Sequence, residues 1–206
     1  MLLFYDPTMN FTLSQIAAHP ETVTHTFSLD NGEKITFRPL EHTDLDGLTL
    51  FLQGLSPDTR AFSTFASYDD VMARELCDAI NKYDKLRFVL ETDNLAIAGL
   101  IEFSLSIPDG DMERYRNNAI ELDAGTDCRW GLTVSDEYQN KGLGSKLFPS
   151  VVDVAKRLGK KRIILWGGVL SENARAIHYY QKNGFKKLGT FTKDDGHESI
   201  DMILEL

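Results

Sequence analysis

The sequence predicts one α/β domain whose central sheet contains strands in mixed directions. Apolar runs of strand length alternate along the chain with segments whose apolar residues recur at helical spacing. Turn sequences of the hairpin type separate strand candidates at Asp30-Asn31-Gly32, Thr92-Asp93-Asn94 and Asp194-Asp195-Gly196. A glycine-rich turn at 139–145 joins a further strand candidate to a long amphipathic helix.

The composition is that of an ordinary soluble protein and excludes several classes. The chain has 206 residues, 42% hydrophobic and 26% charged, which suits one domain with a sizeable core. A net charge of 22 − 31 = −9 argues against nonspecific nucleic-acid binding. No apolar run approaches the length of a membrane span, and the apolar start at 1–5 is too short for a signal peptide. We therefore expect a cytoplasmic protein without nucleic-acid or membrane partners.

The two cysteines, Cys77 and Cys128, provide neither a disulfide framework nor the spacing of a zinc site. Both are interpreted as reduced packing residues. No metal is expected.

Helices and hairpins are predicted to alternate in the first half of the chain. A short helix is expected at 12–19, ended by Pro20, and a longer one at 42–55 with Thr43 as the N-cap. Ser56 and Pro57 have the residue types of a helix start, and a further helical pattern covers 69–83. Strands are expected at 24–29, 33–40, 86–91 and 95–106.

The second half is predicted to start with a loop at 108–127 and a strand at 128–134. The helix after the glycine turn ends at Gly159, and Pro149 is interpreted as lying near its start, where loss of an N–H is least costly. A strand at 162–166 and a helix stopped by Asn183-Gly184 come next. Strands at 185–191 and 198–206 complete the predicted order.

The glycine turn has the properties of a phosphate-binding site. Gln139, Gly142 and Gly144 stand between strand and helix. Glycine lets the main chain turn its N–H groups outward, and the N-terminus of a helix favours an anion. Neither of two better-known phosphate motifs, Gly-x-x-x-x-Gly-Lys-Ser/Thr and Gly-x-Gly-x-x-Gly, is present here.

This turn resembles the pyrophosphate-binding motif of the GCN5-related N-acetyltransferase (GNAT) family, Arg/Gln-x-x-Gly-x-Gly/Ala. Further along, the family shows Asn-x-x-Ala-x-x-x-Tyr-x-Lys-x-Gly-Phe. This chain has the matching residues at Asn173, Ala176, Tyr180, Lys182, Gly184 and Phe185. The resemblance covers roughly 34–206, so we predict an N-acetyltransferase domain there and an N-terminal extension at 1–33.

The resemblance implies a mixed, mostly antiparallel sheet flanked by helices, in which two central strands splay apart. It also implies acetyl-CoA as co-substrate, with its diphosphate on the backbone of the glycine turn and its pantetheine along the preceding strand. The implied cofactor-binding residues are Leu132, Thr133, Val134, Gln139, Asn140, Lys141, Gly142, Leu143, Gly144, Ser145 and Asn173. Tyr180 takes the position of the acid that protonates the leaving thiolate, and Tyr179 is the poorer choice because it points about 100° away.

The general base is left open by the sequence. Many relatives carry a glutamate two residues before the glycine of the cofactor strand, but this chain has Arg129 there. Glu121, Asp123, Glu102 and a water relay are the alternatives.

The implied reaction is acetyl transfer to a primary amine by direct attack on the thioester. A non-catalytic coenzyme A-binding sensor or partner domain is the alternative, and the acyl-chain length is open. The acceptor is a small-molecule or protein amine, and a homodimer is also left open. Acidic residues in the regions expected to line the acceptor site led us to expect a cationic acceptor. They are Asp58, Asp69, Asp70, Asp194, Asp195 and Glu198.

Overall fold

The computed structural model describes residues 11–63, 65–80 and 84–206. The apolar start at 1–5 and the predicted helix end at 81–83 lie outside these residues. The strands are β1 (His25–Ser28), β2 (Lys34–Pro39), β3 (Lys85–Thr92), β4 (Ile97–Ser104), β5 (Asp127–Val134), β6 (Arg162–Leu165), β7 (Val169–Leu170), β8 (Lys186–Thr192) and β9 (Glu198–Glu205). The α-helices are α1 (Leu13–Ala18), α2 (Leu45–Gly54), α3 (Pro57–Ala61), α4 (Asp70–Asp78), α5 (Asp109–Asn117), α6 (Leu143–Arg157) and α7 (Ala174–Lys182).

All the strands belong to one nine-stranded sheet. Its order is β1-β2-β3-β4-β5-β6-β9-β7. β6 and β7 pair with successive parts of one side of β9, and β8 pairs with its opposite side. Only β5 and β6 run parallel, and every other pair is antiparallel. The predicted fold class, a mixed and mostly antiparallel sheet flanked by helices, is therefore confirmed.

The parallel pair β5–β6 opens halfway along β5. Pairing runs from Asp127↔Arg162 to Trp130↔Leu165, and Trp166 N then donates to Trp130 O at 2.9 Å. Beyond that point β5 continues to pair with β4 as far as Val134, while β6 has ended. The splay implied by the resemblance is present, and it leaves one side of 131–134 without a neighbouring strand.

Helices cover both faces of the sheet. On one face, α6 places Leu143, Leu147, Val151 and Ala155 against the sheet at intervals of four residues, as its apolar periodicity predicts. Trp130 is fully buried there among Phe148, Tyr180 and Phe185. On the other face, α2 and α4 pack over β3 and β4 through a second apolar cluster. None of the helices in the described part of the chain is long and apolar enough to cross a membrane.

Several local predictions were wrong. The helix expected at 42–55 begins with a 3₁₀ turn at His42–Asp44, and Glu41 and Asp44 form its capping box, so Thr43 is not the cap. Pro149 is the seventh residue of α6 rather than near its start. Its exposed position allows water to replace the hydrogen bond that its missing N–H cannot make.

The predicted loop at 108–127 contains helix α5. Its apolar periodicity is weak, which is why the helix was missed, but charge signals are present in the sequence. Asp109 and Asp111 occupy the first turn, and Arg114 and Arg116 the last, as the helix dipole favours. The strand-like alternation at 120–123 does not form a strand, since these residues lie in an irregular segment before the turn that leads into β5.

Residues 11–33 pack on the same sheet as the rest of the described chain. Ile16 and Val23 are buried in the main core, and β1 pairs with β2 along its whole length. The predicted boundary between 1–33 and 34–206 falls in the turn between these two strands.

Candidate active site

A cavity of about 300 Å³ lies where β5, α6 and α7 meet, and we call it the larger cavity. Its wall contains every predicted cofactor-binding residue except Lys141, together with Tyr180. Lys141 instead places Nζ 5.5 Å from the centre of the Tyr138 ring. Residues that the sequence analysis did not select also line this cavity. They are Thr59, Phe62, Ser63, Tyr138, Arg175, Ala176, His178, Tyr179 and Lys182.

The glycine turn opens the N-terminus of α6 toward the larger cavity. Gly142 is the N-cap, with φ +78, and no side chain caps this end of the helix. The first N–H groups of a helix have no acceptor within the helix, so those at the start of α6 are available to a ligand. Asn140 also has a positive φ of 60. The turn therefore has the backbone of an anion cradle.

Two cationic side chains of α7 face this end of the cavity. Lys182 Nζ lies 3.5 Å from Ser145 Oγ, and Arg175 lines the same cavity. Lys182 was part of the second motif, but nothing in the local pattern marked Arg175. Both charges suit a diphosphate.

The side chain of Gln139 braces the turn rather than facing outward. Its Nε2 donates to Val134 O and to Thr59 Oγ1, each at 2.9 Å, and its Oε1 accepts from Arg175 at 2.5 Å. Both N–H bonds of the amide are thus used within the protein. Its backbone N–H also donates to Asp136 O at 3.3 Å, so Gln139 fixes the cradle relative to the end of β5 and leaves the N–H groups at the start of α6 for a ligand.

Asp136 ties the same turn to the N-terminus of α3. It accepts hydrogen bonds from Ser56 N at 2.8 Å, from Ser56 Oγ at 2.5 Å and from Thr59 Oγ1 at 2.6 Å. Desolvation alone would raise the pKa of Asp136, but the hydrogen bonds from Ser56 and Thr59 outweigh it and lower the pKa to about 2.

This clamp predicts an acid-sensitive contribution to stability. Asp136→Asn should lower the free energy of unfolding at pH 6 by roughly 1 kcal/mol, once the exposed position is discounted for solvent screening. The folded pKa lies below its ordinary value of 3.8, so the stabilisation is complete above pH 3.8 and is lost as the pH falls toward about 2. Urea unfolding at a series of pH values should show the deficit of the variant shrinking over that interval. A deficit that is the same at every pH would contradict the clamp.

The open side of β5 presents backbone donors to the gap beside β6. Ser135 N donates to Ala98 O on β4 at 2.9 Å, and successive residues of a strand point their N–H groups to opposite sides. Leu132 and Val134 therefore turn their N–H groups away from β4 and into the gap. These are the groups that can bind an extended amide chain or a thioester oxygen.

The two adjacent tyrosines of α7 have different surroundings. Tyr179 donates its hydroxyl to Gly144 O at 3.0 Å and packs so closely on Gly144 that a Cβ there would lie 2.8 Å from its ring. The hydroxyl of Tyr180, by contrast, has no hydrogen-bond partner among the described residues. Burial raises the pKa of Tyr180 to about 12, so the phenol keeps its proton at neutral pH.

Asn173 caps α7, since its Oδ1 accepts from Ala176 N at 3.0 Å. It also borders the larger cavity, so the cap and the predicted ligand contact are compatible.

A second cavity of about 100 Å³, here the smaller cavity, adjoins the larger cavity and shares Tyr180 with it. Phe62, Ser63, Leu132, Thr133, Asn173, Ala176 and Tyr180 line both cavities. Glu102, Trp166 and Lys193 line the smaller cavity alone. Tyr180 therefore stands between a site suited to an extended anionic ligand and a site suited to a small second molecule.

Of the three predicted base candidates, only Glu102 lines either cavity. Glu121 is exposed and paired with Arg116, and Asp123 accepts a hydrogen bond from Gly125 N in the turn before β5. Both lie ahead of the start of β5, whereas the gap lies at its end. The alternation that made them candidates does not form a strand.

Comparison with known proteins agrees with this geometry. Residues 53–185, more than half of the chain, match the Acetyltransferase (GNAT) family. An acetyltransferase of Pseudomonas aeruginosa is 27% identical over 136 residues, which cover 66% of this chain and 67% of that protein.

Solved structures share the fold. The GNAT domain of S. lividans PAT superposes with a TM-score of 0.69 at 19% identity, covering 91% of this chain and 99% of that one. The spermidine N-acetyltransferase from Vibrio cholerae, in complex with CoA and spermine, superposes with a TM-score of 0.60 at 22% identity. The superposition covers 83% of this chain and 95% of that one. Because the family match extends over most of the site and over more than half of the chain, the chain belongs to the acetyltransferase (GNAT) family and is an N-acetyltransferase.

Proposed function

We propose that this protein transfers the acetyl group of acetyl-CoA to a primary amine by direct attack on the thioester. The observation that carries the proposal is the position of Tyr180. Its protonated hydroxyl has no protein partner among the described residues, and it stands where the two cavities meet. Acetyl-CoA and amine in these cavities would meet beside this hydroxyl.

The groups that line the larger cavity are chemically suited to bind acetyl-CoA. The uncapped start of α6, with Gly142 in the left-handed conformation, would bind the diphosphate, assisted by Arg175 and Lys182. The N–H groups of Leu132 and Val134 would bind the pantetheine chain and the thioester oxygen. Asn173 has its Nδ2 left for the same chain, since only its Oδ1 is used in the cap.

Bound acetyl-CoA would supply an activated carbonyl carbon: the amine nitrogen bonds to it, the carbon–sulfur bond breaks, and the sulfur leaves with one proton. Tyr180 would donate that proton or a hydrogen bond to the sulfur. The N–H of Val134, fixed by the strand, would stabilise the charge that develops on the carbonyl oxygen. Removal of one proton from the amine completes the balance.

Glu102 is the proposed base that accepts this proton, either directly or through a water molecule. It lies in the middle of β4 and lines the smaller cavity. Arg87 Nε donates to its Oε1 at 2.8 Å, and its Oε2 has no partner among the described residues. Gly131 faces it across the strand pair and has no side chain to fill the space.

The acceptor is proposed to be a small molecule, which the smaller cavity of about 100 Å³ would hold. The spermidine N-acetyltransferase from Vibrio cholerae, which shares the fold, was solved in complex with the small amine spermine. We further propose that catalysis belongs to 34–206, that residues 11–33 support the sheet, and that the protein works in the cytoplasm.

The test is thiol release from acetyl-CoA across a panel of amines, together with calorimetry of acetyl-CoA binding. We expect micromolar binding, equivalent to about −8 kcal/mol, and amine-dependent thiol release with an acetylated product identified by mass. Binding without release for any amine would favour the alternative of a non-catalytic coenzyme A-binding domain. Absence of binding would reject both.

Glu102→Gln should lower kcat about 10²–10⁴-fold while acetyl-CoA binding stays unchanged, because the amide cannot accept the amine proton. Glu91→Gln on the neighbouring strand is a matched control, since Glu91 pairs with Arg38 and lines neither cavity. The rate should be compared over a range of pH with one active amine. A loss below tenfold would favour the water relay without Glu102.

A further inference from the structure

The smaller cavity contains one carboxylate and one ammonium from the described residues, Glu102 and Lys193. Their situations differ. Glu102 forms an ion pair with Arg87 at 2.8 Å, and both side chains are at least four-fifths buried. Lys193 forms no ion pair within the described part of the chain.

The cross-strand register explains why Glu102 is neutralised. Arg87, Glu102 and Gly131 are direct partners across β3, β4 and β5, so they share one face of the sheet. One row further along, Lys85, Ser104 and Arg129 are partners in the same way. This row adds two cations to the face beside the cavity, and one of them, Arg129, is paired with the buried carboxylate of Asp111 at 3.7 Å.

Lys193 is held in place by the hairpin between β8 and β9. Its N–H donates to His197 O, and its carbonyl accepts from Gly196 N, each at 2.9 Å. The carboxylates of this hairpin face other groups or solvent: Glu198 accepts from Ser171, and Asp195 accepts from His197 N. The half-buried Lys193 thus leaves a positive charge in the cavity wall that no described carboxylate balances.

Trp166 does not offer a site for a cationic ligand either. Arg129 places its guanidinium carbon 4.6 Å from the centre of the Trp166 ring, and Lys85 places Nζ at 5.4 Å. The ring that a cation would bind is already occupied by two cations. The sequence predicts a cationic acceptor from six acidic residues, but none of them lines the smaller cavity. They are Asp58, Asp69, Asp70, Asp194, Asp195 and Glu198.

We propose that the acceptor is a small amino acid, whose amine faces Glu102 and whose carboxylate is bound by Lys193. This inference rests on the proposed acetyl transfer and names its substrate class. An amino acid matches the two charges of the cavity, whereas an amine without an anionic group leaves Lys193 unpaired and brings a second cation beside it. The volume of about 100 Å³ suits an amino acid with a small side chain.

The experiment compares glycine, alanine and serine with their amides in wild type and in Lys193→Gln. For each pair, kcat/KM is measured by thiol release, and binding to the coenzyme A complex is measured by tryptophan fluorescence, since Trp130 and Trp166 line the cavity. The ratio of each amino acid to its amide is then compared between the two proteins, because the intrinsic reactivity of each amine cancels in that comparison. Lys186→Gln, an exposed position on β8, is the matched control.

We expect Lys193→Gln to lower the amino acid/amide ratio about 10- to 100-fold through KM, and Lys186→Gln to leave it unchanged. Lys193→Glu should go further and favour the amides. An unchanged ratio in Lys193→Gln overturns the inference, as does failure of every amino acid to bind the coenzyme A complex. If amines without a carboxylate are acetylated at the higher rate, the inference fails and the proposed acetyl transfer stands. If acetyl-CoA does not bind at all, the proposed function fails with it.

Discussion

Tyr180→Phe should slow the chemical step about 10²–10⁴-fold while the fold and the affinity for acetyl-CoA are retained. The variant removes only the hydroxyl, and that hydroxyl holds no part of the protein together, since it has no hydrogen-bond partner among the described residues. The ring contacts with Trp130 and Phe185, which pack α7 on the sheet, remain. Single-turnover measurements at saturating acetyl-CoA isolate the step.

Tyr179→Phe is the matched control on the same helix. Its hydroxyl donates to Gly144 O, so its loss should cost about 0.5–1.5 kcal/mol of stability and leave the single-turnover rate nearly intact. If Tyr179→Phe slows chemistry more than Tyr180→Phe does, the assignment of the acid is reversed. If neither slows it, the leaving sulfur takes its proton from water.

Gly142→Val should weaken acetyl-CoA binding about 10- to 100-fold, which corresponds to the loss of one hydrogen bond to a charged group. Gly142 has φ +78, and a β-branched residue is a strong outlier there, so the turn must change shape and its N–H groups move. A Cβ at this position would meet nothing within 4 Å, so backbone conformation rather than crowding within the protein causes the effect.

Gly196→Val is the control that distinguishes a loss of acetyl-CoA affinity from a loss of stability caused by backbone strain. Gly196 has φ +85 and equally open surroundings, but it lies in the β8–β9 hairpin, away from the glycine turn. Both variants should lose similar stability in urea unfolding, and only Gly142→Val should lose affinity in calorimetry. Equal affinity in a folded Gly142→Val variant would remove the cradle from the coenzyme site.

Local sequence patterns predicted the parts of the site that one strand, one turn and one helix supply. The turn from Gln139 to Ser145 depends on glycines at fixed positions, and α6 on a four-residue apolar spacing, so both can be read from neighbouring residues. The same holds for the caps Ser56 and Asn173. Gln139 lies in the turn that the motif predicts, and its side-chain amide donates to Thr59 and Val134 within the protein.

The wrong predictions of secondary structure came from segments whose hydrophobic pattern is weak or misleading. Helix α5 has little apolar periodicity because its stability comes from a buried charge network. In that network, Arg114 contacts Asp111 on its own helix and Asp201 on β9. Such pairs join residues far apart in sequence, and no local window contains both. The alternation at 120–123 imitated a strand because period-two patterns also occur by chance in short turns.

By itself, the sequence determined the α/β class, the glycine turn, the order of the motifs and the tyrosine pair, since each follows from local spacing or residue type. Only the tertiary structure decided which charged residues line the candidate site. Glu102 lines the same cavity as Tyr180 and Glu121 does not, because strand register and the splay of β5 and β6 select one face of β4. Likewise Arg129, which stands where many relatives have a glutamate, is held by Ser104 and stacked on Trp166. The charge of a site depends on which partners already neutralise its residues, and those partners are brought together across strands rather than along the chain.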